Sequence, residues 1–112
     1  MSVGYRVELN AGAERDLEEI AHYIAAHDLP ERALQVLDAI EAVIDGLASE
    51  PLRGSHPKEL AALGMHEFRE VYCKPYRILY RVFETDQAFR VYLVADGRRS
   101  LQRVLERRLL GV

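Results

Sequence analysis

The chain has 112 residues, 49% apolar and 29% charged, and a formal net charge of −3 at pH 7. That length predicts one domain over residues 1–112, with one core in two or three layers. No run approaches the roughly eighteen apolar residues of a membrane span, and the first residues lack the basic and apolar regions of a secretory signal, so the expectation is a cytoplasmic protein with no membrane partner.

The small net charge hides an asymmetry. Residues 1–55 carry eleven acidic and four basic side chains, a balance of −7, and residues 56–112 carry seven and eleven, a balance of +4. Two readings follow with equal weight: the basic half meets a nucleic acid or an acidic peptide, or the two halves neutralise one another where they pack. The single cysteine, Cys73, cannot staple the chain or hold zinc alone; a buried, reduced thiol is expected. No cofactor or metal is expected.

Tyr5 to Leu9 alternates apolar and polar residues and predicts a short strand. Asn10 offers a side-chain cap to a helix with apolar residues at Ala13, Leu17, Ile20, Ala21 and Ile24. Glu14, Asp16, Glu18 and Glu19 complement the positive end of that helix. His22 and His27 lack zinc-motif spacing and read as surface residues. A cap at Asp28 or Leu29, Pro30 in the first turn, and Glu31 placed as in a capping box open a second helix running to about Leu47. The short connection makes the two helices an antiparallel hairpin. Leu34 and Ala42 lie beside its core stripe and suggest a docking groove for a partner's helix, against the commoner outcome of packing on a sheet.

Pro51, Gly54, Pro57 and Gly64 punctuate a connector, with one helical turn over 58–63. His56 and His66 in it are read as solvated. Three strands follow as an antiparallel meander, joined by turns at Lys74-Pro75 and at 84–87. Period-two alternation suggests that Arg69, Arg77, Arg81 and Arg90 line one side of the sheet. Like charges so placed repel and call for an acidic partner from this chain or another; within the chain, Arg77 pairing with Glu70, and Arg98 or Arg99 with Asp96 or Glu106, is the alternative. After the turn at Asp96-Gly97, Ser100 is placed to cap a final helix over 101–110, with Leu101, Val104, Leu105 and Leu109 inward, Arg103, Arg107 and Arg108 outward, and Gly111 closing it. The fold class is α+β: an N-terminal strand, an α-helical hairpin, a three-stranded antiparallel meander completing a small sheet, and a short C-terminal helix.

That order, with AERDLEEIAHYIA, EPLRG, FREV, PYRILYRV and VADGRRS in sequence, resembles the RelE/ParE superfamily of bacterial toxins across nearly the whole chain. The resemblance implies the toxin of a type II toxin–antitoxin module, linked with plasmid stabilisation and growth inhibition and held by its cognate antitoxin in a hetero-oligomer. RelE-like members are metal-independent, ribosome-dependent ribonucleases that hold the scissile phosphate with sheet cations. Their central-strand arginine matches Arg77, and the arginine after the last strand matches Arg99, beside Arg98. The C-terminal aromatic falls near Leu105, and no tyrosine or histidine follows Tyr92, so proton transfer has no candidate. ParE-like members lack that set and poison DNA gyrase by binding; the GRR turn and two long helices look more like this branch. The expectation is therefore a ParE-like gyrase inhibitor, leaning away from enzyme. The alternatives are a ribosome-dependent mRNA endoribonuclease using Arg77 and Arg99, and a non-toxic antitoxin-binding module. Antitoxin or target contacts are expected at Arg69, Arg77, Arg81, Arg98, Arg99 and Leu34.

Overall fold

The computed structural model describes residues 4–110, so the expected closing role of Gly111 lies outside the described residues. The elements are β1 (Arg6–Leu9), α1 (Ala11–His27), α2 (Pro30–Gly46), α3 (Lys58–Ala61), β2 (Phe68–Cys73), β3 (Tyr76–Phe83), β4 (Ala88–Asp96) and α4 (Gln102–Leu110). The sheet order is β1-β4-β3-β2. β2, β3 and β4 form the expected antiparallel meander, and β1 joins it parallel to β4. Asn10 caps α1 as expected, its side-chain oxygen accepting from the Ala13 N–H at 2.8 Å. The expected capping box of α2 does not form: Leu29 is the cap residue, and the Asp28 carboxylate accepts from the Leu29 N–H. α4 begins one residue later than expected, with the Leu101 carbonyl accepting its first bond from Leu105 N–H.

Helices cover both faces of the sheet. On one face Ala13, Ile40 and Ile44 of the hairpin, with Leu47, pack on Val71, Ile78, Tyr80, Phe89, Val91 and Val94. On the other, Leu60 of α3 and Leu101 and Leu105 pack on Phe68, Leu79 and Leu93. A bulge changes which residues of β4 face each core. Leu79 is paired with Leu93 but Tyr80 with Val91, so the register shifts at Tyr92. The simple alternation expected for β4 therefore inverts midway: Phe89 and Val91 face the hairpin, Leu93 faces α4.

Two side chains close the edge of β4 where β1 has ended. The Asp16 carboxylate accepts from the Val94 N–H at 3.0 Å, and Arg108 donates to the Tyr92 carbonyl at 3.0 Å while bridging back to Asp16. Arg108 was expected on the outer side of the last helix; the unpaired backbone groups of β4 draw it inward. Gly12 makes room for it, since a Cβ there would stand 2.5 Å from Nη2 of Arg108.

The connector is fastened to the sheet by β3 and β2. The Tyr80 hydroxyl donates to the Pro51 carbonyl at 2.7 Å and accepts from the Gly54 N–H at 2.9 Å. Arg69, opposite Tyr80 in the register, donates to the Leu52 and Gly54 carbonyls at 3.1 and 2.7 Å. A side chain at Gly54 would stand 2.6 Å from the Tyr80 hydroxyl, which explains the glycine of EPLRG. Tyr80→Phe leaves the buried Gly54 N–H without its acceptor. It should lower unfolding stability by about 1–3 kcal/mol, read as a shifted urea midpoint at unchanged slope.

Candidate functional site

The strand arginines do not form the shared cationic face expected of them. The two-residue connection at Lys74-Pro75 pairs Cys73 with Tyr76, so Arg69 falls opposite Tyr80 and belongs to the hairpin side of the sheet. Arg77 and Arg81 stand on the other side. Arg69 is thus separated from them, and its guanidinium is engaged by two carbonyls.

Arg77 is the larger correction. It was expected as an antitoxin or target contact, yet it is 6% exposed and held by two carboxylates of its own chain. Its Nε donates to Glu70 Oε1 at 2.7 Å. Its Nη1 and Nη2 donate to the two oxygens of Glu59 at 2.7 and 2.8 Å, a bidentate fork. Glu70 comes from β2, as the in-chain alternative supposed. Glu59 comes from the single turn of α3 and was missed; the sign available was a carboxylate beside Leu60, the residue that anchors that turn in the core. The hydrogen bonds from Arg77 hold the Glu59 carboxyl below its ordinary value, and Glu59, ahead of Glu70, raises the Arg77 guanidinium above its own. The triad carries one net negative charge.

The turn that follows β4 lies against this group. The Gly97 N–H donates to the Pro75 carbonyl at 2.7 Å, and a Cβ at Gly97 would stand 2.8 Å from Cγ of Arg77. The strand arginine and the GRR turn are therefore adjacent. Arg98 is exposed and bidentate with Asp96, at 3.0 and 2.6 Å, and this pairing holds the Asp96 carboxyl down at about 2. Arg99 is exposed and, among the described residues, its guanidinium has no hydrogen-bond partner.

The remaining candidates are dispersed. Leu34 is 63% exposed, with Leu29 and Tyr23 nearly equally so, at the tip of the hairpin. Ala42 is also exposed. The apolar cleft against the hairpin lies elsewhere, between α1, α2 and β1, where Leu17 and Ile44 face Val7 and Leu9 beside Glu41 and Asp45. Cys73 is free and only partly buried. His56 has a partner that the sequence did not reveal: Nδ1 lies 3.1 Å from the Phe68 carbonyl, and the ring meets His66 edge-on.

Arg77→Ala would strand two carboxylates in a dry layer and should cost about 3–5 kcal/mol in denaturant unfolding. Arg99→Ala, on the surface, should stay within about 0.5 kcal/mol. Because the folded Glu59 carboxyl titrates below its unfolded value of about 4.3, its contribution is complete above that pH and disappears as pH falls through the lower folded value. Glu59→Gln should accordingly flatten the loss of stability below about pH 4.3, measured as urea midpoint against pH.

Three comparisons bear on this arrangement. Residues 7–101 match the family described as the ParE toxin of type II toxin–antitoxin system, parDE. A chain of the chromosomal ParDE TA system from P. aeruginosa superposes with a TM-score of 0.69 at 18% identity, covering 85% of this chain and 98% of that one; at that identity the likeness is one of fold. A chain of the toxin–antitoxin complex RelBE2 from Mycobacterium tuberculosis gives a TM-score of 0.59 at 27% identity, covering 86% of this chain and 94% of that one. No curated protein matches the chain.

Proposed function

The chain belongs to the ParE toxin family of type II toxin–antitoxin systems and is a toxin component of that kind; from this premise we propose that it acts by binding DNA gyrase, that it cuts no RNA, and that a cognate antitoxin neutralises it by direct contact. The observation that carries the proposal is the state of Arg77. A ribonuclease of the related branch needs a cation free to hold a phosphate and to meet charge as it develops. Here the matching guanidinium spends its Nε and both terminal nitrogens on Glu70 and Glu59. Binding a phosphate would require pulling it from a buried, bidentate pair and bringing an anion to a group with one net negative charge.

The C-terminal side supports the same reading. Where the ribonuclease branch would place a tyrosine or histidine, Leu105 is wholly buried in the core under α4. An apolar side chain there packs and moves no proton. The ribonuclease reading retains one supporting observation, the 27% identity to the RelBE2 chain, and retains Arg99 as a free cation beside the triad.

In a supercoiling reaction with purified gyrase and relaxed plasmid, the protein should suppress formation of supercoiled product as its concentration rises. Normal supercoiling at saturating protein would reject gyrase as target. Codon-linked cuts in translated messages after induction, mapped by primer extension, would instead establish the ribonuclease.

A further inference from the structure

The sheet retains a second group of arginines away from the Arg77 triad. Arg81 of β3 and Arg90 of β4 stand directly opposite one another in the register. Side chains so paired lie about 5 Å apart at Cβ, and two like charges there destabilise the sheet unless something intervenes. Part of the answer is Phe83. The guanidinium carbons of Arg81 and Arg90 lie 4.9 and 5.0 Å from its ring centroid. The ring attracts both cations and holds them beside each other, but it uses none of their N–H donors.

The carboxylates nearby are too few. Glu8 of β1 accepts from Nε and Nη2 of Arg90 at 3.1 and 2.9 Å through one oxygen, and from Arg6 at 3.3 and 2.9 Å through the other. The Tyr92 hydroxyl stands 3.4 Å from Nη1 of Arg90. Among the described residues Arg81 has no hydrogen-bond acceptor and no carboxylate within ion-pair distance. Two guanidiniums, those of Arg6 and Arg90, therefore share one carboxylate, and the fork of Arg81 is unspent. That side chain is half-buried, so its donors are poorly served by bulk water and favour a fixed acceptor.

We infer that Arg81 and Arg90, held together on Phe83, form a binding site for a carboxylate side chain from an acidic segment of a partner protein. It rests on the reading of this chain as one member of a protein pair and is independent of gyrase as the target. Charge decides between a carboxylate and a nucleic-acid backbone. A phosphate strand is held by several cations along its length, and Arg6 and Arg90 are already committed to Glu8. The chain as a whole carries −3, with its excess of acid on the hairpin half, so a long polyanion is repelled beyond the site. One or two carboxylates, flanked by the Phe83 and Tyr92 rings, match the charge left over.

The test is a titration of the full chain at low ionic strength with a hexaglutamate peptide, and in parallel with a single-stranded oligothymidylate, followed by fluorescence anisotropy and by the amide shifts of β3 and β4. Hexaglutamate should move the resonances of residues 81, 83 and 90, and Arg81→Gln should weaken it about tenfold, the loss of one charge-assisted contact. Arg81→Lys, which keeps the charge and loses the fork, should fall between. Arg103→Gln, on the exposed side of α4, should bind as the wild type does. Absence of hexaglutamate binding, affinity indifferent to Arg81→Gln in a folded variant, or tighter binding of the oligothymidylate at the same residues would each overturn the inference.

Discussion

Arg77 and the two carboxylates that grip it are the interaction on which the rest depends. They tie β3 to β2 and both to the single turn of α3, in the layer where α3 and α4 meet the sheet. A buried pair of this kind need not add much stability over apolar residues of the same shape, but it is costly to break from one side. The constraint therefore fixes geometry: α3 must sit where Glu59 reaches the fork, and the turn at Gly97 must lie flat on the arginine's stem. It also bears on the chemistry, because a buried guanidinium already donating through Nε and both terminal nitrogens is poorly placed to hold a phosphate.

The functional reading follows from that commitment together with the family. Membership identifies a toxin component; the proposed mode of action rests on the state of Arg77. The physical footing differs from the one the sequence suggested. A broad cationic sheet awaiting an outside acid is replaced by three separate situations: Arg69 spent on the connector, Arg77 spent on its own carboxylates, and Arg81 left over beside Arg90. The charge asymmetry between the halves resolves in the same mixed way. Arg90 with Glu8 and Arg108 with Asp16 are paired across the halves, while Arg81 within the sheet keeps its donors free for a partner.

Much of the fold was legible because its signals are local. Asn10 before an apolar helical stripe, Pro30 at a helix start, Gly64 after one turn, and two short turns between three alternating strands each state their structure within a few residues. The two-residue turn at Lys74-Pro75 even contained the register that separates Arg69 from Arg77, since it requires Cys73 to face Tyr76. What was not legible depends on distant groups. The bulge at Tyr92 belongs to the pairing of β4 with β3, a separate strand. Arg108 turns inward because β1 is shorter than β4 and leaves backbone groups to satisfy. Glu59 meets Arg77 only after α3 has docked through Leu60. A count of charges along a strand cannot reveal which of them a connector residue will neutralise.

The most direct measurement replaces the whole triad with apolar residues, as Arg77→Met, Glu59→Leu and Glu70→Leu in one chain, and compares growth on expression with that caused by the wild type. Such a swap conserves packing and removes every charge at once. If Arg77 is a framework residue and the toxin works by binding, the folded triple variant arrests growth as the wild type does. A variant that folds, shown by an unchanged circular dichroism spectrum and a cooperative melt, yet lets cells grow would contradict the account and return Arg77 to the chemistry.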